Sequence, residues 1–261
     1  MKIAYDYEIF WKQKKFGGIS RYFYNLIYYS YNHNVIPNIK VFAQFYFNEC
    51  LKELPHNLVE GKKINSLPPY SGKIFEFYTK YISNKKLLKF SPDIVHRTLF
   101  SNNFPIKEKS RIVITVYDLI HEILFDQRKL KPKQKAINQA DKIICISNNT
   151  KNDLINIYNV NPDKVSVTYL GYEHMNVQSK FAENFSEKLT VPYILFVGSR
   201  KRYKNFDFFL NSFSRSKKLM GDFNVVLFGG EEILGEEKKK FENLNFKKNQ
   251  IIHIKGDDLV L

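Results

Sequence analysis

Short β-branched or apolar runs alternate with longer amphipathic stretches along this chain, and that alternation admits few folds. Parallel strands need crossovers, and the crossovers are usually helices. Lys2 to Tyr5, Ile39 to Ala43, Ile94 to His96, Ile112 to Tyr117, Lys142 to Ile146 and Val165 to Tyr169 read as strands. Between them, Ile19, Phe23, Leu26 and Ile27 recur at helical spacing behind Gly17-Gly18, and Ile74, Phe77, Tyr78, Tyr81 and Ile82 do the same farther on. Asn148 and Asn149 read as the capped start of another helix running to Tyr158.

A polar stretch from about Tyr172 to Thr190, ending at Pro192, reads as a linker. A second series follows: a strand at Tyr193 to Val197, a helix from Phe206 to Leu219, a strand at Val225 to Phe228, a charged helix from Glu236 to Leu244 and a strand at Ile251 to Ile254. The expected organisation is α/β with two Rossmann-like doubly wound domains, residues 1–175 and 176–261. Five elements make half of such a domain, so the second is expected to be incomplete.

Composition narrows the class. A chain of 261 residues with 44% hydrophobic and 26% charged residues, including 23 Phe and 17 Tyr, buries a real core, which excludes a disordered protein. Cys50 and Cys145 lie far apart, and Cys145 sits in an apolar run, so no disulfide framework is expected. The opening Met1 to Asp6 reads as neither a signal peptide nor an anchor, and no apolar run reaches spanning length; a cytoplasmic protein is expected. Forty-one Lys and Arg against 26 Asp and Glu give a formal charge of +15, which attracts anions: nucleic acid, phosphorylated small molecules or an anionic membrane face. Scattered pairs such as Lys62-Lys63 and Lys217-Lys218 read as solvated surface, whereas Arg128 to Lys135 is the densest basic segment and the best candidate for a functional patch.

Ligands of open parallel sheets bind outside the carboxyl ends of the strands. Three segments end strands there. Gly17-Gly18, with Arg21 in the following turn, could present backbone N–H groups and a helix dipole to an anion, or could be a tight turn that needs glycine. Asp118 and His121 follow the strand Ile112 to Tyr117; they could orient or deprotonate a hydroxyl, or Asp118 could simply cap the next helix. His96 holds the equivalent place on the preceding strand. In the second series, a buried strand ends at Gly198 and a loop carrying Arg200, Lys201, Arg202 and Lys204 leads into a helix. The loop could be a solvated cationic turn, but its place at a strand's carboxyl end favours phosphate binding, as when departure of a nucleoside diphosphate from a sugar builds negative charge that, without obvious metal ligands, Arg and Lys must stabilise. Gly229-Gly230, at the end of the next strand, would let the backbone approach the same ligand.

Taken together, these segments resemble the retaining group 1 type glycosyltransferases, a family-4-like group with the GT-B fold that includes enzymes of bacterial surface polysaccharide synthesis. Gly17 to Arg21 resembles that family's N-terminal glycine loop, Val116 to Glu122 its acceptor-side Asp/His segment, Ala140 to Ser147 the strand and turn before the hinge, and Phe196 to Asn205 its donor diphosphate loop. The resemblance implies Arg200 and Lys204 as phosphate contacts, Asp118 and His121 as acceptor-side binding and orienting groups, and no metal or other cofactor. It implies transfer of a hexose, mannose among the candidates, from a nucleoside-diphosphate sugar to a glycan or lipid-linked acceptor, with peripheral contact to an anionic membrane and no nucleic acid. The family's later glutamate motif, around a Gly-Phe-Gly turn, is not matched, and the chain ends at Leu261 about where the next helix would begin; truncation of the donor domain is the expectation. An epimerase of the same architecture, a basic nucleic-acid-binding protein and an inactive binding remnant stand as alternatives.

Overall fold

The computed structural model describes residues 1–13, 17–100, 109–124, 130–171, 191–200 and 202–254. It divides into two compact units, Met1–Gly171 and Tyr172–Leu261. The expected linker between Tyr172 and Thr190, Arg128 and Lys129 of the basic segment, Lys201 of the cationic loop, and the last residues of the chain lie outside the described residues.

Unit 1 is built on six parallel strands. They are β1 (Lys2–Tyr5), β2 (Asn38–Val41), β5 (Ile94–Arg97), β6 (Arg111–Val116), β7 (Lys142–Cys145) and β8 (Val165–Val167), in the order β2-β1-β5-β6-β7-β8. A small parallel pair, β3 (Phe45–Tyr46) with β4 (Lys62–Lys63), stands apart. The chain leaves β1 toward β2 on one side and later returns to β5 on the other, so the direction of winding reverses between β1 and β5. That reversal opens a crevice at the carboxyl edge.

Helices α1 (Glu8–Lys12), α2 (Gly18–Asn32), α3 (Glu49–Lys52), α4 (Gly72–Phe90), α5 (Ile120–Leu124), α6 (Leu130–Gln139) and α7 (Asn148–Tyr158) complete the unit. The stripe read on α2 faces inward, with Phe23 and Ile27 fully buried. Each such burial contributes about 2–3 kcal/mol. Helix α7 starts one residue earlier than its asparagines suggest: the Ser147 side chain caps it, accepting from the Thr150 backbone N–H at 3.1 Å. Both cysteines are free and buried.

An apolar stripe at helical spacing ordinarily faces a core, but the one read on α4 does not. Ile74, Phe77, Tyr78 and Tyr81 point outward, 71%, 70%, 48% and 57% exposed, and the buried positions of the helix are Thr79, Ser83 and Leu87. The sequence holds two apolar stripes there. The one carrying Phe75, Leu87 and Phe90 packs on the core, where Phe75 meets Phe45 and Phe90 meets Phe42 at ring separations of 5.6 and 5.4 Å.

Unit 2 has three parallel strands in the order β11-β10-β9: β9 (Tyr193–Val197), β10 (Asn224–Phe228) and β11 (Ile251–Ile254). The helix read as Phe206 to Leu219 is two, α8 (Phe206–Arg215) and α9 (Lys217–Asp222), because the Ser216 side chain caps a fresh start by accepting from Leu219 N–H at 3.3 Å. Helix α10 (Gly235–Asn243) follows. One sheet face packs Phe206, Leu210, Phe213 and Phe241 against Val225 and Leu227. On the other, Tyr193, Leu195 and Val197 remain 45–48% exposed, and the apolar cluster on that face consists of the strand residues Val226, Phe228, Ile252 and Ile254. Among the described residues no helix is long and apolar enough to cross a membrane.

The structure turns His96 from a site candidate into a core residue. It is 5% exposed, its Nε2 lies 2.9 Å from Thr115 Oγ1, and Tyr5 and Phe23 pack on the ring at 5.5 and 5.1 Å. Burial depresses its pKa to about 4, so it stays neutral. Between about pH 6.5 and 4 the unfolded chain binds this proton and the folded one does not, so stability present above pH 6.5 is lost as pH falls toward 4. Asp6 acts oppositely: burial, then the nearby Glu8, raises its pKa to about 7, so its contribution to stability falls as pH rises from its ordinary carboxylate range to about 7. Chemical denaturation of His96→Phe against the parent across this range isolates the histidine, because Asp6 is common to both. The variant should lose less stability on acidification, by about 2–3 kcal/mol at pH 4; parallel profiles would refute the assignment.

Candidate functional site

In unit 2 the strand ladders run up to the glycines that end them. Gly198 N–H donates to Phe228 O at 2.8 Å and Gly229 N–H to Ile254 O at 2.9 Å. Gly230, at φ +71°, comes so close to the neighbouring strand end that a Cβ there would lie 2.6 Å from Gly198 O, a backbone atom that cannot swing away. Glycine is therefore required on two counts, and the carboxyl ends of β9 and β10 are drawn together.

Two cations meet at this point. Lys204 follows β9 by one helical turn, Arg202–Lys204, and folds back so that its Nζ donates to Val197 O at 3.2 Å. It occupies the space that a side chain on Gly198 would fill. Arg200 is buried, its side chain 2% exposed. Its Nε and Nη2 donate to the two carboxylate oxygens of Glu237 at 2.8 and 3.0 Å, and Nη2 also reaches Glu231 O at 2.5 Å. The remaining nitrogen, Nη1, is buried beside Gly230 and has no hydrogen-bond partner among the described residues. A guanidinium nitrogen left so is costly and marks a place where an acceptor fits.

Glu237 does two jobs. It sits in the first turn of α10, where its Oε2 also accepts from Leu234 N–H at 3.4 Å, and its bonds to Arg200 hold its carboxyl below the usual range. The bidentate pair fixes the plane of the guanidinium and hence the direction of Nη1. Arg200 and Glu237 also border a cavity of about 610 Å³ whose other charged lining residues are Asp207, Glu231, Glu232 and Glu236. That side is acidic and unfavourable to phosphate; Nη1 and Lys204 lie at the glycines instead. The structure thus brings together Arg200, Lys204, Gly229 and Gly230, and adds Glu237, which the sequence reading missed because the pairing spans 37 residues.

Unit 1 holds the other candidates. Gly17 precedes α2 in extended conformation, and the Ser20 N–H of that helix start already donates to the Gln13 side chain at 3.2 Å. The chain itself therefore fills part of the proposed anion site. Asp118 is exposed, and its Oδ1 accepts from Ile120 N–H at 3.3 Å in the turn that leads into α5. His121 is exposed in α5. The next residue, Glu122, is buried and ion-pairs with Lys133 while accepting from Tyr158 OH at 3.0 Å. One lysine of the dense basic segment is thereby neutralised rather than displayed.

The crevice at the winding reversal contains a polar cluster. Asp6, directly after β1, is fully buried; its Oδ1 accepts from the backbone N–H groups of Glu8 and Thr98, each at 3.2 Å, and from the Thr98 hydroxyl. Arg97, 1% exposed, lies within electrostatic reach of Asp6 and Glu8 and donates to Gln139 at 3.2 Å. The rule that pointed to Asp118 after β6 applies equally to Asp6 after β1, so this cluster was within reach of the sequence.

The profile of Glycosyltransferase Family 4 matches residues 16–174. Among solved structures, the lipopolysaccharide outer core galactosyltransferase WaaB is 18% identical over 98% of this chain and 68% of its own, with a TM-score of 0.61. HepE from Anabaena, solved with UDP-glucose, is 14% identical over 98% and 69%, with a TM-score of 0.64. The UDP-GlcNAc 2-epimerase of Neisseria meningitidis is 14% identical over 100% and 74%, with a TM-score of 0.60. No curated protein matches. These likenesses establish the GT-B fold, and since the profile spans more than half of the sequence, the chain belongs to Glycosyltransferase Family 4.

Proposed function

We propose that this protein serves transfer of a hexose from a nucleoside-diphosphate sugar to a glycan or lipid-linked acceptor, with the diphosphate held at the carboxyl ends of β9 and β10. One observation carries the reading: Arg200 Nη1, buried and without a hydrogen-bond partner among the described residues, lies against Gly230 while Lys204 Nζ lies at Gly198. Two cations beside a side-chain-free backbone suit a pyrophosphate. The ligand class is supported by HepE, which was solved with UDP and with UDP-glucose.

In this reading the bond from the sugar's anomeric carbon to the diphosphate breaks with its electron pair leaving on the phosphate oxygen, where Arg200 and Lys204 stabilise the charge. The acceptor hydroxyl bonds to the same carbon on the face the diphosphate leaves, and its proton passes to the departing phosphate. No strong protein base is needed, so Asp118 and His121 are assigned to binding and orienting the acceptor rather than to proton abstraction. The setting proposed is surface polysaccharide synthesis. An epimerase would bind the same donor class; the family match in unit 1 favours transfer.

Two outcomes test the site. Calorimetric titration with UDP, GDP and ADP and their nucleosides should show one diphosphate bound well above its nucleoside, and Lys204→Ala should weaken it about 10- to 100-fold, the worth of one charge-assisted contact. Equal affinity for diphosphate and nucleoside would end the proposal. Glu237→Ala frees a buried guanidinium and the start of α10, so it should destabilise unit 2 by about 2–3 kcal/mol and weaken the diphosphate as well, whereas Glu237→Gln should retain more of both. Denaturation curves and titration of both variants check this.

A further inference from the structure

The face of α4 that packing leaves outside has a composition unlike that of ordinary solvated helices. Ile74, Phe77, Tyr78 and Tyr81 are exposed, with Leu88 in line a further two turns on, and Tyr70 just before the helix is fully exposed. Counting around the helix at 3.6 residues per turn, Ile74, Phe77, Tyr81 and Leu88 share one stripe, with Lys85 among them, Lys73 and Lys80 along one border and Lys89 along the other. Glu76 is the single acid in Gly72–Phe90, against five lysines, of which Lys86 is turned aside to donate to Gln44 at 2.9 Å. Apolar residues this exposed on one contiguous face mark a contact surface.

Charge complementarity selects what it contacts. A second copy of the face would bring lysines against lysines across a self-complementary contact, which like charge opposes. An anionic bilayer satisfies every component at once. Against such a surface Phe77, Ile74 and Leu88 would enter the acyl boundary, the tyrosines would keep their hydroxyls at headgroup level, and the lysines would extend their stems to the phosphates. Each lysine near such a surface contributes about 1 kcal/mol.

We propose that the outward face of α4 docks this protein flat on an anionic membrane. The inference deepens the lipid-linked acceptor reading and rests on it for its purpose, but the face is tested apart from the donor site. The intact protein is sedimented with vesicles of phosphatidylcholine alone and of phosphatidylcholine with phosphatidylglycerol, at low and high salt. It should bind the anionic vesicles only, less at high salt. Phe77→Ser with Tyr81→Ser should cut binding about tenfold or more with the charge unchanged, and Lys73→Glu with Lys85→Glu should do the same with the apolar face unchanged. Circular dichroism and the melting shift given by a nucleoside diphosphate should stay at the parent values, since none of the four residues lies in unit 2.

A parent protein that binds a nucleoside diphosphate but stays in the supernatant when anionic vesicles are sedimented overturns the docking face and leaves the donor site standing. Vesicle binding without any diphosphate binding does the reverse. A parent dimer in sedimentation equilibrium that the serine pair dissociates, without vesicle binding, assigns the face to a second copy and overturns the proposal.

Discussion

Parallel pairing of β1 with β2 on one side and β5 on the other is the constraint from which the rest of unit 1 follows. Parallel strands all end at the same edge, so every loop after a strand opens there, and the reversal of winding between β1 and β5 leaves a gap between neighbouring loops. Asp6 closes that gap. It ties the loop after β1 to the loop after β5 through Thr98, and an unpaired carboxylate in such a place would be expensive, which is why three donors converge on one of its oxygens. Its other oxygen, and one of Glu8, have no hydrogen-bond partner among the described residues, and Arg97 lies within electrostatic reach of both carboxyl groups.

Unit 2 repeats the principle with opposite chemistry. The parallel ends of β9 and β10 meet through glycines rather than through a carboxylate, and the space left by missing side chains is taken by cationic groups. Arg200 shows how a buried charge is tolerated and kept useful: Glu237 and a backbone carbonyl satisfy two of its nitrogens, and the third is held against the glycines. The cavity that Arg200 and Glu237 border is otherwise acidic, so the direction of one nitrogen, more than the number of cations in the loop, distinguishes the glycine side of the pair. Four basic residues in sequence had suggested a simple positive loop; the structure makes it a directed one.

What could be read without coordinates was what local chemistry dictates. The boundaries of β1, β9 and β11 match the runs read there, and β2, β5, β6, β7, β8 and β10 agree to within about two residues at their ends, because β-branched runs bounded by polar residues have little alternative, whereas the two-residue strands β3 and β4 were not read. Helix ends were less legible: a serine hydroxyl at Ser147 and another at Ser216 each moved or made a boundary that apolar spacing does not record. The glycines and cations after β9 were legible as a group, since their place after a buried strand is a sequence fact. Asp118 was legible as a polar residue at the carboxyl end of β6, and its Oδ1 accepts from Ile120 N–H at the start of α5.

By itself, then, the sequence determined the succession of strands and helices, the parallel arrangement they require, and the clustering of Arg200, Lys204, Gly229 and Gly230 at strand ends. Only the tertiary structure decided which partner each charge has and which stripe of a helix is inside. Glu237 lies 37 residues from Arg200, Thr98 lies 92 from Asp6, and the competition between the two apolar stripes of α4 is settled by Phe42 and Phe45 on other elements. Local spacing fixes a residue's direction relative to its own element, whereas burial and pairing depend on what folds against that element, and no property of the neighbouring residues in sequence encodes that.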